Sequence, residues 1–481
     1  MRIALLAEGC YPFVTGGVST WCDQLMRGMP DHEFEVVAIA GTGGEQPAMA
    51  MPENVRSLRC VALWDLQPPR GHPGRRARAA FRAVHRPFLR AMLDPAAAPE
   101  EFTSALRELF DLAQTRDLTP LLQTGEALET LIRVWRELHP ASPLTMREAL
   151  DACELIEHYL RPLSAPVVRA DVCHAVSNGL PAMLALAAKW RYGTPFVMSE
   201  HGVYLRERYL SFRTIQYRWP VKVILLAMFR RLCWTAYAAA DVIAPVNVYN
   251  QRWEVRHGAD PDVIATAYNG VSPDSYPQAA AEPEVPTVGW VGRIDPLKDL
   301  ATLIRAFALV HERVPEAVLR LFGPTPTGNE EYERELRDLV EELRLSGSVS
   351  FEGPVRTVTD AYHASTVVAL SSISEGLPYT VMEAMMCGRA TVSTDVGGVP
   401  EVTGDAGLVV PPRDPEAFAE ACERLLRDHA LRQSVASAAR DRALSLFPLE
   451  RMLAGFADTY ADVVRAAAAP ARRALSSAGA R

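Results

Sequence analysis

Short apolar runs alternate with segments of helical period along most of the chain. Arg2–Ala7 is an apolar run that leads into Gly16-Gly17, and Val18–Met29 reads as a helix. Phe34–Ala40 (FEVVAIA) is a second buried strand. Such continuous apolar runs mark parallel strands covered on both faces. From 66 to 165 the pattern changes. This stretch is rich in Ala, Arg, Leu and Pro, keeps a helical period and offers no clear strand, which predicts a helical insertion, partly mobile. Alternation then resumes. Strands are expected at Ala170–Val176, Pro195–Ser199, Asp241–Val246 and Ile264–Tyr268, with Leu180–Arg191 helical and Val221–Ala240 a buried helix.

Residues 277–287 (PQAAAEPEVPT) have a linker composition and mark the expected domain boundary. The second half alternates more cleanly, with strands at Val288–Val291, Ala317–Phe322, Val349–Phe351, Val367–Leu370 and Ala390–Ser393. This predicts an α/β chain of two Rossmann-like, doubly wound parallel-sheet domains, 1–283 and 284–448. A helix over 449–464 and a disordered tail over 465–481 complete the expectation.

A length of 481 residues exceeds what one hydrophobic core usually serves, in keeping with two domains. The formal net charge of −8 argues against a nucleic-acid binder, whose footprint is basic. A local positive pocket for an anionic ligand remains compatible with it. The eight cysteines form no C-x-x-C pair, so neither a zinc knuckle nor a redox motif is indicated, and a reducing cytoplasm fits best. No targeting segment is read at the start, and Arg230-Arg231 break the longest apolar stretch, which is too short and too charged to span a bilayer.

Candidate chemistry lies in loops that follow strands. The densest cluster is Ser374-Glu375-Gly376-Leu377-Pro378, followed by a helix over roughly 378–387 that carries Glu383. Ligands of open parallel sheets sit at the carboxyl ends of strands, and free amides at a helix start suit an anion. One glutamate could then hold a sugar and the other a ribose; the plain alternative is a surface acid and an unrelated helix acid. A second loop, Gly292–Lys298, brings Arg293 and Lys298 to the same edge. Cations placed there stabilise a departing diphosphate, although a solvated basic loop reads the same way. Gly16-Gly17 permits close backbone approach. His201, in Glu200-His201-Gly202, lies at another strand end, and a lone histidine is more often structural. Asp395–Glu401 (DVGGVPE) is a glycine loop equally explained as a turn. Asp260-Pro261-Asp262 matches a metal-binding D-x-D but sits beside a proline in a helix-to-strand loop and reads as a turn. No cluster with metal spacing is found, so no metal is expected.

Together, VGWVGRIDPLKD, LFGP, VSFEG, SEGLPYTVMEAMMCGRATVSTDVGGVPEV and AGLVVPP resemble the family 4 glycosyltransferases, which have the GT-B architecture. The N-terminal EGCYPFVTGGVSTW, SEHGVYLRER and YNGV are similar to the PelF group, which serves exopolysaccharide assembly. The resemblance implies two Rossmann-like domains facing a cleft, the final helix crossing back to the first, and retaining transfer without a metal or other cofactor. It implies UDP-glucose as donor, a glycan acceptor and a membrane exopolysaccharide synthase complex as partner. It assigns Arg293 and Lys298 to the donor diphosphate, Glu375 to the donor sugar with the backbone of Gly376 and Leu377, and Glu383 to the ribose. His201 would face the donor sugar, and Gly16 and Gly17 the phosphates or acceptor. With no second carboxylate placed as a nucleophile, same-face attack is favoured over the two-carboxylate scheme of retaining glycosidases. Two rivals stay open: a nucleotide-sugar 2-epimerase, and a non-catalytic sugar-nucleotide-binding subunit of a synthase complex.

Overall fold

In the computed structural model, which describes residues 1–65 and 73–478, the strands of the first half are β1 (Arg2–Glu8), β2 (Glu33–Ala40), β3 (Val55–Ala62), β4 (Val172–Ala175), β5 (Phe196–Glu200) and β6 (Val242–Pro245). They form one sheet in the order β3-β2-β1-β4-β5-β6, every pairing parallel. Leu5 of β1 sits beside Val36 on one side and His174 on the other. Strands β7 (Thr287–Val291), β8 (Val318–Phe322), β9 (Val349–Gly353), β10 (Val367–Leu370), β11 (Ala390–Thr394) and β12 (Leu408–Val410) form a second parallel sheet, in the order β12-β11-β10-β7-β8-β9. Each order reverses once, at β1/β4 and at β10/β7. That is the doubly wound, Rossmann-like plan.

The chain divides into two compact units. The first holds Met1–Pro245, Gln251–Thr266 and the chain from Phe456; the second holds Val246–Asn250 and Ala267–Gly455. The division thus falls at Thr266 rather than at 283. The Pro/Ala/Glu-rich stretch read as a linker belongs to the second unit, where side chains fasten it. Arg432 pairs with Glu282 at 2.7 Å, Arg389 Nη2 donates to Ala281 O at 2.8 Å, and Ala279 N donates to Cys387 O at 3.1 Å.

Over the described part of 66–165 the insertion is helical, with main helices Arg75–Leu93, Pro99–Ala113, Gly125–Leu138 and Met146–Leu160; residues 66–72 lie outside the described residues. It is not a loose appendage. Phe88, Phe102, Phe110 and Trp135 are fully buried in one core that also takes in Leu6, Ile39, Cys173 and Phe196 of the sheet. The long apolar helix Trp219–Ala239 tolerates Arg231 because its guanidinium donates to Asp94 O (2.7 Å) and Ala97 O (2.9 Å). A buried charge needs such partners.

Three further expectations change. Ile264–Tyr268 forms no strand: Ile264 makes an isolated bridge to Ile243, and pairing ends after Ala265 N donates to Ile243 O at 2.8 Å. The final helix runs Leu449–Ala478 rather than stopping at 464, so the expected tail is helical to Ala478, and 479–481 lie outside the described residues. Alanine and arginine are strong helix formers, which lets the helix propagate where low complexity had suggested disorder. Within the first unit, Phe456 of this helix lies edge-on to Trp21 (5.4 Å), and Tyr460 OH meets His174 Nδ1 at 2.7 Å.

Candidate functional site

In the second unit, three loops leave neighbouring strand ends at the point where the sheet order reverses. They are the loop after β7 that leads to Lys298, the loop after β10 with Glu375 to Leu377, and the glycine loop after β11 at 395–398. Lys298 ends a short 3-10 turn, Pro296–Lys298, capped by Asp295, whose Oδ1 accepts from Leu297 N at 2.9 Å. Asp299 follows in the left-handed region (φ 46°), and its side chain caps the helix Leu300–Arg313. This turn puts Lys298 Nζ 2.7 Å from Glu375 Oε1, the same oxygen that accepts from Ser372 Oγ at 2.5 Å. Ser371 Oγ donates to Lys298 O (2.8 Å) and Ile373 N to Leu297 O (2.9 Å), so the two loops are stitched together. Arg293 is exposed and, among the described residues, forms no hydrogen bond or ion pair.

The glycine loop supports the Glu375 loop from behind. Gly398 N and Asn247 Nδ2 both donate to Gly376 O, each at 2.9 Å. Gly397 has φ 54°, and a Cβ there would stand 1.8 Å from Glu375 O. Only glycine combines that conformation with that approach. With its carbonyl turned inward, Gly376 and its neighbour Leu377 keep amides that donate to no described residue. The next helix, Tyr379–Met386, begins after Pro378.

Glu383 lies on that helix, and its carboxylate is held by two tyrosines. Tyr276 OH donates to Oε1 at 2.8 Å and Tyr362 OH to Oε2 at 2.5 Å. Burial raises the carboxyl above its usual range, and the two hydroxyls oppose the rise. Sequence reasoning missed both tyrosines. Tyr276 sits at the edge of the supposed linker, and Tyr362 in a short helix, Val358–His363, that has no motif to flag it.

In the first unit, His201 alone of the expected site residues lies by a cavity near the point where the order reverses. This cavity, of about 330 Å³, opens between the ends of β1, β4 and β5, among Glu8, Cys10, Ser177, His201, Glu207 and Arg208. His201 follows β5, stacks edge-on to Trp21 with centroids 4.7 Å apart, and leaves Nε2 without a partner. Burial lowers its pKa to about 4, so at neutral pH the imidazole offers one N–H and one lone pair. Arg208 Nη2 donates to Glu8 Oε1 (2.5 Å) and to Tyr204 OH (2.7 Å). Gly17 opens the helix Gly17–Arg27 with Gly16 as its uncapped N-cap; both are exposed, and neither lines the cavity.

Behind His201 lies a pair the sequence did not suggest. Glu200 and Glu254 are both fully buried. Tyr237 OH donates to Glu200 Oε2 at 2.7 Å and Tyr204 N to Oε1 at 3.1 Å. Burial pushes Glu254 up to about 10, reinforced by the Glu200 charge. The pair therefore holds a proton at neutral pH. Asp260-Pro261-Asp262 is a turn: Asp260 Oδ1 accepts from Asp262 N at 3.0 Å. Among the described residues no group of three or more His, Cys, Asp or Glu is placed to hold a metal ion, and no helix is long and apolar enough to cross a membrane.

Two parallel six-stranded units of this order define the GT-B class of fold, and solved proteins of that class match along nearly the whole chain. Sucrose-phosphate synthase from Thermosynechococcus elongatus has a TM-score of 0.64 at 16% identity, covering 97% of this chain and 99% of that one. Anabaena HepE in complex with UDP-glucose has a TM-score of 0.61 at 16% identity, covering 96% and 100%. Residues 1–262, more than half of the sequence, match the family described as "Domain of unknown function (DUF3492)", and the chain belongs to it. Residues 285–428 match "Glycosyl transferases group 1". Two D-inositol 3-phosphate glycosyltransferases are similar. That of Streptomyces bingchenggensis is 30% identical over 44% of this chain and 50% of its own length. That of Stackebrandtia nassauensis is 26% identical over 77% and 85%. The chain thus spans about half the length of the Streptomyces relative.

Proposed function

We propose that the chain is a glycosyltransferase that takes a sugar from a nucleoside diphosphate sugar. One observation carries the reading: the Lys298–Glu375 pair, with the undonated amides of Gly376 and Leu377, lies at the point where the second sheet reverses. There a cation and free N–H groups suit a diphosphate, and a carboxylate suits sugar hydroxyls. The group 1 match over 285–428 supports it. Arg293 and Lys298 bind the diphosphate, Glu375 the donor sugar, and Glu383, oriented by its two tyrosines, the ribose. His201 is assigned to the transferred sugar, and Gly16-Gly17 to the phosphates or the acceptor.

The finer reading is a family 4, retaining, metal-independent enzyme of PelF type that uses UDP-glucose in the cytoplasm for exopolysaccharide synthesis. Its support is the sequence resemblance, together with the likeness to HepE, which was solved with UDP-glucose. Transfer proceeds by same-face attack, the departing phosphate taking the acceptor proton. Glu375 acts as a binder, since its Oε1 is engaged by Lys298 and Ser372. The test is UDP release from a panel of UDP-sugars in EDTA, for wild type and Glu375→Ala. Release from UDP-glucose that survives EDTA and falls about a hundredfold in the variant is expected. Metal-dependent release, or a glycosyl adduct trapped on Glu375, overturns the mechanism.

A further inference from the structure

The walls of the first unit's cavity carry two acids, Glu8 and Glu207, against one guanidinium. Arg208 is the only cationic side chain among the described residues lining it, and it is engaged on several sides. Its Nη2 serves Glu8 and Tyr204 OH, and its guanidinium lies 4.5 Å from the centre of the Tyr204 ring and 5.2 Å from that of Phe229. Glu8 in turn is neutralised, with Oε1 on Arg208 and Oε2 accepting from Tyr204 OH at 3.2 Å. His201 is uncharged at neutral pH, and burial keeps the Cys10 thiol protonated. The remaining acid is Glu207, whose carboxyl burial pushes up while the Arg208 and Arg206 charges hold it down. It is seated over Gly202, where a Cβ would come 2.0 Å from Glu207 Oε1. A glycine is needed there for the carboxylate to take this place.

A phosphate entering the cavity meets a like charge and no free cation, and like charges a few ångströms apart repel strongly where water is partly excluded. A sugar hydroxyl is an O–H donor and meets a carboxyl acceptor. The cavity volume falls within the roughly 300–1,000 Å³ of small-ligand sites. We propose that this cavity takes the acceptor, and that Glu207 makes it selective for an uncharged, hydroxyl-rich glycan end against a phosphorylated sugar. The word "acceptor" rests on the transferase reading; the selection by charge does not.

The experiment therefore measures binding apart from turnover. Saturation-transfer NMR on the full chain with UDP present compares an uncharged gluco-oligosaccharide with an inositol phosphate, for wild type, Glu207→Gln and Glu207→Arg. UDP release from UDP-glucose is read in parallel. Wild type should bind the oligosaccharide and not the phosphate. Glu207→Gln should weaken the oligosaccharide about tenfold with UDP affinity unchanged, and Glu207→Arg should admit the phosphate. A wild type that binds the phosphate as well or better, or neither sugar, overturns the proposal. Oligosaccharide binding without UDP release from any donor retires the transferase reading and leaves the charge selection standing.

Discussion

Lys298 and Glu375, 77 residues apart in sequence, form an ion pair with Nζ 2.7 Å from Oε1. On the proposed reading, a bound donor would take over both partners, diphosphate oxygens on Lys298 and sugar hydroxyls on Glu375. Removing the carboxylate charge should therefore separate two effects. Glu375→Gln leaves Lys298 without a counter-charge, so UDP affinity should rise about two- to threefold while sugar transfer falls about a hundredfold. Titration calorimetry with UDP, set beside turnover of the UDP-sugar, checks both. A parallel loss of UDP binding would show that the pair builds the loop rather than divides the ligand.

Glu383 makes a different prediction, because it is positioned rather than paired. Tyr276→Phe removes the hydroxyl on Oε1 and leaves that on Oε2. The carboxylate can then swing, and a uniform binding contact is weakened. KM for the donor should rise about fivefold with kcat within about twofold. Tyr362→Phe should act in the same sense and also lower the melting temperature, since Tyr362 is fully buried. A kcat effect larger than the KM effect would place Glu383 in the chemistry instead.

The Glu200–Glu254 pair sets a pH dependence of stability. In the folded chain Glu254 holds its proton up to about 10, against an ordinary value of 4.5. Between those values the folded state binds a proton that the unfolded state has released, so stability falls as pH rises. The contribution is complete below 4.5 and fully lost near 10. Melting of the wild type should move down by several degrees between pH 5 and pH 9 on the order expected from such a shift. Glu254→Gln, which keeps a hydrogen-bond donor without the titration, should flatten that slope. An unchanged slope in the variant would assign it to other groups.

The sheets were legible in the sequence because their strands are buried on both faces and read as unbroken apolar runs. Two of the edge strands, β3 and β12, were not. Val55–Ala62 carries Arg56, Ser57 and Arg59, and Leu408–Val410 is three residues long, so neither shows a run. The loops with Lys298 and Glu375 could be marked because glycine and proline punctuate them. Their mutual pairing could not, because it joins loops 77 residues apart. The tyrosines on Glu383, the Glu200–Glu254 pair and the Arg208–Glu8 contact stayed hidden for the same reason: each is made by the fold from residues without local signature. The supposed linker failed differently. Its composition is linker-like, yet Arg389 and Arg432 hold it in the second unit, and composition carries no trace of distant partners.

Gly397 offers the sharpest separation of backbone from side-chain effects at the site. It touches Glu375 only through the main chain, and a Cβ would stand 1.8 Å from Glu375 O, at a φ of 54° that alanine disfavours. Gly397→Ala must therefore push the Glu375 loop away or leave the left-handed region, and either movement shifts Gly376 and its amide. The sheet beneath, with Thr394 Oγ1 bonded to Ser372 O at 2.6 Å, holds the strand ends in place. The variant should fold with its melting temperature lowered by a few degrees. UDP-sugar turnover should fall about a hundredfold, because a misplacement of about 1 Å costs that much in a positioned site. Gly398→Ala should do likewise, since its Cβ would come 2.5 Å from Gly376 O. Full turnover in both variants would mean that the loop around Glu375 is free to move, and that its carboxylate, rather than its backbone frame, is what the ligand meets.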